Sequence, residues 1–389
     1  MNRFSFLFLV SQFVTLHVCS AQSGVQSGLS LGAFSKPLAV RKTTSKTIRK
    51  EVPGSVVNAS LLDQNGDRWI ASFEGLYRIR KVHMANTCLA GSCRHSIENR
   101  GGYFQHIEET SGRLQHMEPF PGELFYHPYG LAEDEKGRIW VGSMQHGLSW
   151  YDGKSFHHLP NQEILKSAFV RTLFFRKGIG LWIGTEKGLF FISAMELQKA
   201  KPGFQQVSAG EKMGALLSIQ PHPEGGVWLG TDSGLLHWVN GKIQKQWFPG
   251  LRITSLLSEG SGKCWVGTEK GLFTQEGAEF RSVLSQGLDR SLVCAISRDS
   301  NGNLWVASRP ENQKVYQLSV FQNAAWRKVE VTKTNEEVMP QFLQPDANNR
   351  IWMGTSQGLF LIQHRNKAGK LQPEIFRSSF SLDPKDDDC

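Results

Sequence analysis

The sequence predicts an all-β chain forming a single seven-bladed β-propeller of four-stranded antiparallel blades, and three observations predict it. A Trp-centred segment recurs seven times, and its copies lie one blade length apart. Each copy also carries turn residues at fixed offsets from its Trp. The clearest copy reads ITSLLSEGSGKCWVGTEKGLF (253–273), and the seven motif tryptophans are Trp69, Trp140, Trp182, Trp228, Trp265, Trp305 and Trp352. Their gaps are 71, 42, 46, 37, 40 and 47 residues, so only the first exceeds one blade and must contain an insertion, placed at 82–111.

Within a copy, the first strand is apolar or alternating and ends near Asp63, Asp134, Asp299 or Asp346. The short carboxylate can hydrogen-bond the turning backbone, and a Gly commonly follows three residues later, as at Gly66, Gly137 and Gly302. The Trp opens the second strand, where burial of its 150–250 Å² between sheets would join one blade to the next. Gly142, Gly184, Gly230, Gly267 and Gly354 leave room for that packing. A Gly-Leu pair starts the third strand at Gly75, Gly147, Gly188, Gly234, Gly271 and Gly358. Asp152-Gly153 and Asn240-Gly241 read as type I′ hairpins leading into fourth strands. Those fourth strands are SFHHL, GFQQV, KIQKQWF, EFRSV, WRKVEV and EIFRSS in blades two to seven.

Composition agrees with a folded chain. Of 389 residues 40% are hydrophobic and 20% charged, which excludes compositional disorder. The 39 Gly follow no G-x-y period, which excludes collagen. Residues 1–21 hold Arg3, an apolar run from Phe4 to Val18 and a small residue, Ala21, at the expected cut, the pattern of a secretory signal peptide. The alternative is lipid anchoring at Cys19, although bulky Val18 stands where a lipobox takes a small residue. No later stretch approaches a membrane span. The expected organisation is signal peptide 1–21, N-terminal segment 22–54, propeller 55–380 and acidic tail 381–389, in a periplasmic or secreted protein.

The net charge of the chain is +9. The leader removes one Arg and the tail holds one Lys against four Asp, so the body carries about +11. A basic exported protein suits an anionic ligand such as an acidic oligosaccharide, and export disfavours nucleic acid. Of the six cysteines, Cys88 and Cys93 are expected to form a disulfide, because export places them in an oxidising compartment and their short loop can close. Cys264 and Cys294 lie in strand-like runs and read as buried thiols.

The D-x-x-G-x-x-W-[IVL]-G-T-x-x-G-L pattern resembles the two-component regulator propeller repeat, over about 56–379. Blade two, with HPYGLAEDEKGRIWVGS, also resembles NHL and gluconolactonase-type repeats. The sialidase Asp-box differs in its Asp-to-Gly spacing. The first resemblance implies the exported sensor propeller of a hybrid two-component regulator, which recognises an extracellular ligand, often an oligosaccharide. That family continues into an immunoglobulin-like domain, a membrane helix and a kinase, whereas only the tail follows blade seven here.

The ligand face is expected where the fourth-to-first and second-to-third strand connections meet, over the central channel. Eleven residues before each Trp stand Asn58, Tyr129, Arg171, Leu217, Thr254, Cys294 and Gln341, and Arg252 and Arg290 fall just before two of them. With His127, the candidate ligand-binding set is Asn58, His127, Tyr129, Arg171, Arg252, Arg290 and Gln341. Arginine offers bidentate contacts to carboxylate or sulfate, and Tyr a stacking surface for a sugar ring. The longer loop 308–314 marks blade six. No catalytic motif, cofactor or metal spacing is present. The expected function is therefore ligand sensing without catalysis, possible partners being a small-molecule or anionic carbohydrate ligand and an envelope signalling protein. An envelope interaction scaffold is the first alternative. A metal-assisted propeller lyase is the second, with His127 and His222 the only histidines near a first strand.

Overall fold

The computed structural model describes residues 56–79, 114–117, 127–209, 213–259, 262–283, 288–329, 338–346, 350–367 and 370–377, apart from 74, 312 and 314. Seven four-stranded antiparallel sheets follow one another along the chain. Blade one is β1 (Val57–Leu62), β2 (Arg68–Ser72), β3 (Gly75–Ile79) and β4 (Leu114–Met117). Blade two is β5 (Pro128–Glu133), β6 (Ile139–Ser143), β7 (Leu148–Tyr151) and β8 (Phe156–His158). Blade three is β9 (Val170–Arg176), β10 (Gly180–Thr185), β11 (Gly188–Ser193) and β12 (Gln205–Ala209), with one-turn helices α1 (Glu163–Lys166) before it and α2 (Ala194–Leu197) inside it.

Blade four is β13 (Leu216–Pro221), β14 (Val227–Thr231), β15 (Gly234–Val239) and β16 (Lys242–Trp247). Blade five is β17 (Ile253–Ser258), β18 (Cys264–Thr268), β19 (Gly271–Glu276) and β20 (Glu279–Ser282). Blade six is β21 (Ser291–Arg298), β22 (Leu304–Pro310), β23 (Gln317–Gln322) and β24 (Ala325–Val329). Blade seven is β25 (Pro340–Pro345), β26 (Ile351–Thr355), β27 (Gly358–Lys367) and β28 (Lys370–Arg377). First strands pack on first strands around the ring, and β1 meets β25, so blade one closes against blade seven.

The core is divided among the interfaces between blades. Trp69 and Ala71 of blade one pack with Ile139 and Val141 of blade two. Trp140 packs with Leu181 and Ile183 of blade three. The series continues with Trp228 on Val266, Trp265 on Val306, Trp305 on Met353 and Trp352 on Ile70. Each of these tryptophans therefore faces the following blade, as the repeat predicts.

The expected glycines make this contact possible. A Cβ on Gly142 would stand 2.4 Å from Val170 Cγ1, and one on Gly267 would stand 2.7 Å from Val293 Cγ1. In both cases the second strand of one blade touches the first residues of the next. The third-strand glycines occupy the left-handed region, for example Gly188 at φ 120° and Gly271 at φ 136°. Their carbonyls accept from the hydroxyl three residues earlier: Thr185 Oγ1 donates to Gly188 O at 2.8 Å and Thr268 Oγ1 to Gly271 O at 2.9 Å.

The first turn of each blade does more than the sequence suggests. Asp134 Oδ1 accepts the backbone N–H groups of Lys136 and Arg138, while Oδ2 accepts the Trp140 indole N–H at 2.8 Å and the Arg138 guanidinium at 2.6 Å. Asp63 with Trp69, Asp299 with Trp305 and Asp346 with Trp352 repeat the indole bond at 2.9, 2.9 and 3.1 Å. In blade five Glu259 takes the role for Trp265 and also receives Arg298 from blade six. At the closure, Arg68 lies 4.5 Å over the Trp352 ring and donates to Gln344 Oε1 at 2.7 Å. Burial lowers that guanidinium to about 10, so it stays charged at neutral pH.

Two hairpins depart from expectation. Asn240 and Gly241 both have positive φ, 49° and 82°, as a type I′ turn requires. Asp152 does not. Its Oδ1 instead accepts the N–H groups of Lys154 and Ser155, each at 2.8 Å, which makes an Asx-type turn. The blade-six turn at Asn323 and Ala324, φ 50° and 58°, has the type I′ geometry without a Gly to announce it. The signal-peptide segment, the insertion 82–111, Cys88, Cys93 and the tail 381–389 lie outside the described residues.

Blade four lacks the carboxylate. His222 stands in its place, its ring stacked 3.4 Å from His237 and 4.3 Å from Trp228, and the Trp228 indole N–H has no acceptor among the described residues. Burial, with the neighbouring His237, lowers His222 to about 4. Protons therefore bind the unfolded chain first: the stability contributed by neutral His222 is complete above about pH 6.5 and is lost as pH falls toward 4. His222→Asp supplies the missing acceptor and is expected to stabilise the fold by about 1 kcal/mol at pH 7, with a smaller loss between pH 6.5 and 4.5. Chemical denaturation of both proteins at the two pH values checks this, and an unchanged acid sensitivity would overturn it.

Candidate functional site

Every first strand carries a one-residue register shift against its partner, and it falls at the same place in all seven blades. The shifted intervals are Val57/Ala59, Pro128/Gly130, Val170/Thr172, Leu216/Ser218, Ile253/Ser255, Val293/Ala295 and Pro340/Phe342. The bulged residues are thus Asn58, Tyr129, Arg171, Leu217, Thr254, Cys294 and Gln341, the same column that counting back from each Trp selects. A bulge re-aims one side chain while the flanking residues keep their packing. The preceding residues Val57, Val170, Leu216, Ile253 and Val293 are fully buried, whereas the bulged residues are half-buried.

On blades one to three this column joins an aromatic arc. Phe73 lies 4.1 Å from the His127 ring, Tyr129 lies edge-on to Phe169 at 4.5 Å, and the Arg171 guanidinium lies 4.1 Å over Phe169. The sequence reading selected His127, Tyr129 and Arg171, and the fold brings them together. It missed Phe73 and Phe169. The backbone explains where they come from. The residue four after the Trp donates its N–H to the residue thirteen before it: Phe73 to Val56, Met144 to His127, Asp232 to Ala215, Glu269 to Arg252 and Ser356 to Met339, at 2.9 to 3.3 Å. Turn and lead-in are therefore fastened side by side at the mouth, and Phe73 and Phe169 occupy these two offsets.

His127 adopts φ 47°, and its Nδ1 is buried without a partner among the described residues. Burial lowers its pKa, against the raising effect of a hydrogen bond with the Phe73 backbone, so the ring is neutral at pH 7. Burial also lowers Arg171. Tyr129, Glu186 and Asp232 act in the opposite sense, and Arg252 adds to the lowering. Charges on blades two, three, four and five thus sense one another across the mouth. The expected basic mouth is mixed in sign, because the second-to-third strand turns of blades three to five contribute Glu186, Asp232 and Glu269.

The other candidates are spread around the ring. Asn58 Nδ2 donates to Pro128 O at 3.0 Å and ties blade one to blade two. Thr254 Oγ1 does the same from blade five to Val293 O of blade six. Gln341 is the half-buried bulge residue of blade seven, and no described contact joins it to the arc. Arg252 is half-buried with its Nε unpartnered among the described residues. Arg290 is exposed at the end of a 3-10 turn, Leu288–Arg290, away from the arc's contacts. Cys264 is buried in β18 and Cys294 is a half-buried bulge residue. Burial pushes both thiols up to about 12, so they are inert at neutral pH.

Of the remaining histidines singled out, His157 and His158 lie on outer strand β8, and His222 lies at the opposite end of its blade from the mouth. Among the described residues, no group of three or more His, Cys, Asp or Glu is arranged to hold a metal ion, and no helix is long and apolar enough to cross a membrane.

The solved structures similar to this chain include extracellular domains of two-component systems. The extracellular domain of a hybrid two-component system from B. thetaiotaomicron matches with a TM-score of 0.59 at 18% identity, covering 82% of this chain and 44% of that one. A second such domain from the same organism matches at 0.55 and 19%, covering 81% and 39%. A catalytically inactive variant of virginiamycin B lyase from Staphylococcus aureus with quinupristin matches at 0.56 and 11%, covering 79% and 94%. At these identities the likeness is one of fold, and the chain spans about two fifths of the length of the two ectodomains. No family model and no curated protein sequence matches the chain.

Burial raises the Tyr129 phenol above its ordinary value, and the Arg171 charge reduces that effect. Ultraviolet difference titration of the protein against Tyr129→Phe is therefore expected to isolate one tyrosine ionising above pH 10, shifted further upward in Arg171→Ala. A phenol titrating below its free value would overturn this placement.

Proposed function

We propose that the chain is an exported, ligand-binding sensory propeller of the two-component regulator repeat type, periplasmic or secreted, acting without catalysis. Its expected organisation is a signal peptide at 1–21, a propeller at 55–380 with an insertion at 82–111, and an acidic tail. One observation carries the reading: the first strands of all seven blades bulge at the same place, and two of the bulged residues, Tyr129 and Arg171, lie in an aromatic and guanidinium arc. Asn58 and Thr254 use the same bulge to tie neighbouring blades, so it is the joining of Tyr129 and Arg171 with Phe73, His127 and Phe169 that supports a recognition surface.

The ligand class that fits is a soluble, ring-bearing molecule with polar substituents, for which an anionic oligosaccharide is the best example. Tyr129 and Phe169 offer ring faces and edges, Arg171 is preorganised by its stack on Phe169, and the body charge favours polyanions. The extracellular domains among the similar structures agree with this reading at the level of fold. The three carboxylates at the rim favour a ligand that also presents hydroxyl donors, which oligosaccharides do.

Thermal-shift screening against acidic and neutral glycans, followed by calorimetry, tests the proposal. Wild type is expected to gain stability with at least one glycan series, and Arg171→Ala to lose about tenfold to a hundredfold in affinity, equivalent to about 1.5–3 kcal/mol. An unaltered affinity in that variant defeats the site, and product formation defeats the non-catalytic reading.

A further inference from the structure

The end of the propeller opposite the mouth is uneven. In blades four, five and six the third and fourth strands are joined by two residues, Asn240-Gly241, Gly277-Ala278 and Asn323-Ala324. In blade three residues 194–204 intervene, and they include helix α2. This insertion is fastened to the turn between β9 and β10. Ile179 N donates to Arg176 O at 3.0 Å, and Ile179 O accepts from Ala194 N at 2.9 Å. Gly178 N donates to Glu135 Oε1 of blade two at 2.7 Å, while Lys136 and Arg138 of that blade donate to the Leu197 carbonyl at 3.1 and 2.7 Å. The inserted helix and the first turns of two blades therefore form one connected platform.

The platform exposes apolar side chains. Met195 is 77% exposed and Ile179 47%, so two of the three most exposed large hydrophobic residues among those described flank the single hydrogen bond from Ala194 to Ile179. Cations surround them. Arg176, Lys177 and Lys201 are exposed, and no ion pair engages them among the described residues. The two nearby carboxylates are already occupied: Glu135 receives the Gly178 N–H, and Glu196 receives the Lys199 ammonium and the Gly203 N–H. An apolar tip is thus ringed by uncompensated positive charge.

We propose that this platform docks the propeller on an anionic phospholipid surface, with Met195 and Ile179 entering the interface and Arg176, Lys177 and Lys201 meeting headgroup phosphates. An element that enters lipid must satisfy its own polar backbone. Here the N–H groups of Gly178, Ile179, Ala194, Glu196 and Gln198 and the Leu197 and Gln198 carbonyls all have partners within the protein. The same pairing leaves these groups nothing to offer an added strand, which favours lipid over an acidic polypeptide. Docked in this way, the mouth faces away from the membrane and stays open to solvent, whatever ligand it takes.

Sedimentation of the full chain with vesicles tests this, using phosphatidylcholine alone and in equimolar mixture with phosphatidylglycerol. Wild type is expected to bind the mixed vesicles, to ignore phosphatidylcholine alone and to be released by salt. Combined Arg176→Gln, Lys177→Gln and Lys201→Gln is expected to weaken binding about a hundredfold, and Met195→Ser about tenfold. Two controls separate the platform from net charge and from exposed apolar surface in general. Combined Lys270→Gln, Arg327→Gln and Lys328→Gln removes the same charge from exposed positions on blades five and six, and Val315→Ser removes another exposed apolar side chain. Both are expected to bind as wild type does, and thermal unfolding reports the fold of every variant. Absent binding, equal binding to both vesicles, or controls that lose as much as the platform variants overturn the proposal. Binding to soluble polyglutamate without binding to vesicles assigns the surface to an acidic polypeptide and overturns the lipid assignment.

Discussion

The fold rests on a hydrogen bond between a buried indole and a turn carboxylate. A propeller has no single centre: its apolar residues are shared out among blade interfaces, and each interface must be wedged by a large side chain held at one angle. The motif Trp is that wedge. Its N–H would be a buried donor without a partner unless something at the base of the blade accepted it, and Asp63, Asp134, Glu259, Asp299 and Asp346 do so. Because the same Asp carboxylates also gather the N–H groups of the first turn, local turn formation and interface packing are one interaction.

Blades three and four show what happens when it is missing. In blade four, stacked His222 and His237 fill the volume beside Trp228, and its N–H meets no acceptor among the described residues. In blade three the first hairpin is tight, Gly180 pairs directly with Arg176, and half-buried Trp182 packs on Phe191 at 4.3 Å. Both blades still join the ring, because the glycine contacts persist: a Cβ on Gly184 would stand 3.1 Å from Leu216 Cβ, and one on Gly230 2.9 Å from Ile253 Cγ2, each on the following blade. Close backbone approach thus maintains the interface where polar wedging is weaker.

The mouth follows from the same geometry. First strands are held tightly at the residue before the bulge, so the bulge itself is where a side chain can change without disturbing packing. That freedom accounts for the variety of the column, from Asn58 to Cys294, against the uniform apolar residues beside it. The differences among blades then divide the rim into an aromatic arc and a run of mixed charge.

The Trp spacing, the turn aspartates and the glycines determined the blade count, the strand order and the closure of blade seven by its own fourth strand, because these are local patterns repeated seven times. Counting back from each Trp also found the bulge column, since a repeat places equivalent residues at equivalent offsets. The bond from Trp to carboxylate was not legible, because residues six apart across a turn meet only when the strand pair has formed. Nor was the joining of Phe73 and Phe169 with Tyr129, which come from three different blades. The Asp152 turn escaped because Asp-Gly supports more than one geometry, and side-chain capping decided between them. Net charge pointed to a basic mouth but could not say which carboxylates the turns would bring beside which arginines, such as Glu186 and Asp232 near Arg171. Sequence fixes what repeats along the chain; only ring closure sets one blade's residues against another's, and the site is made of those contacts.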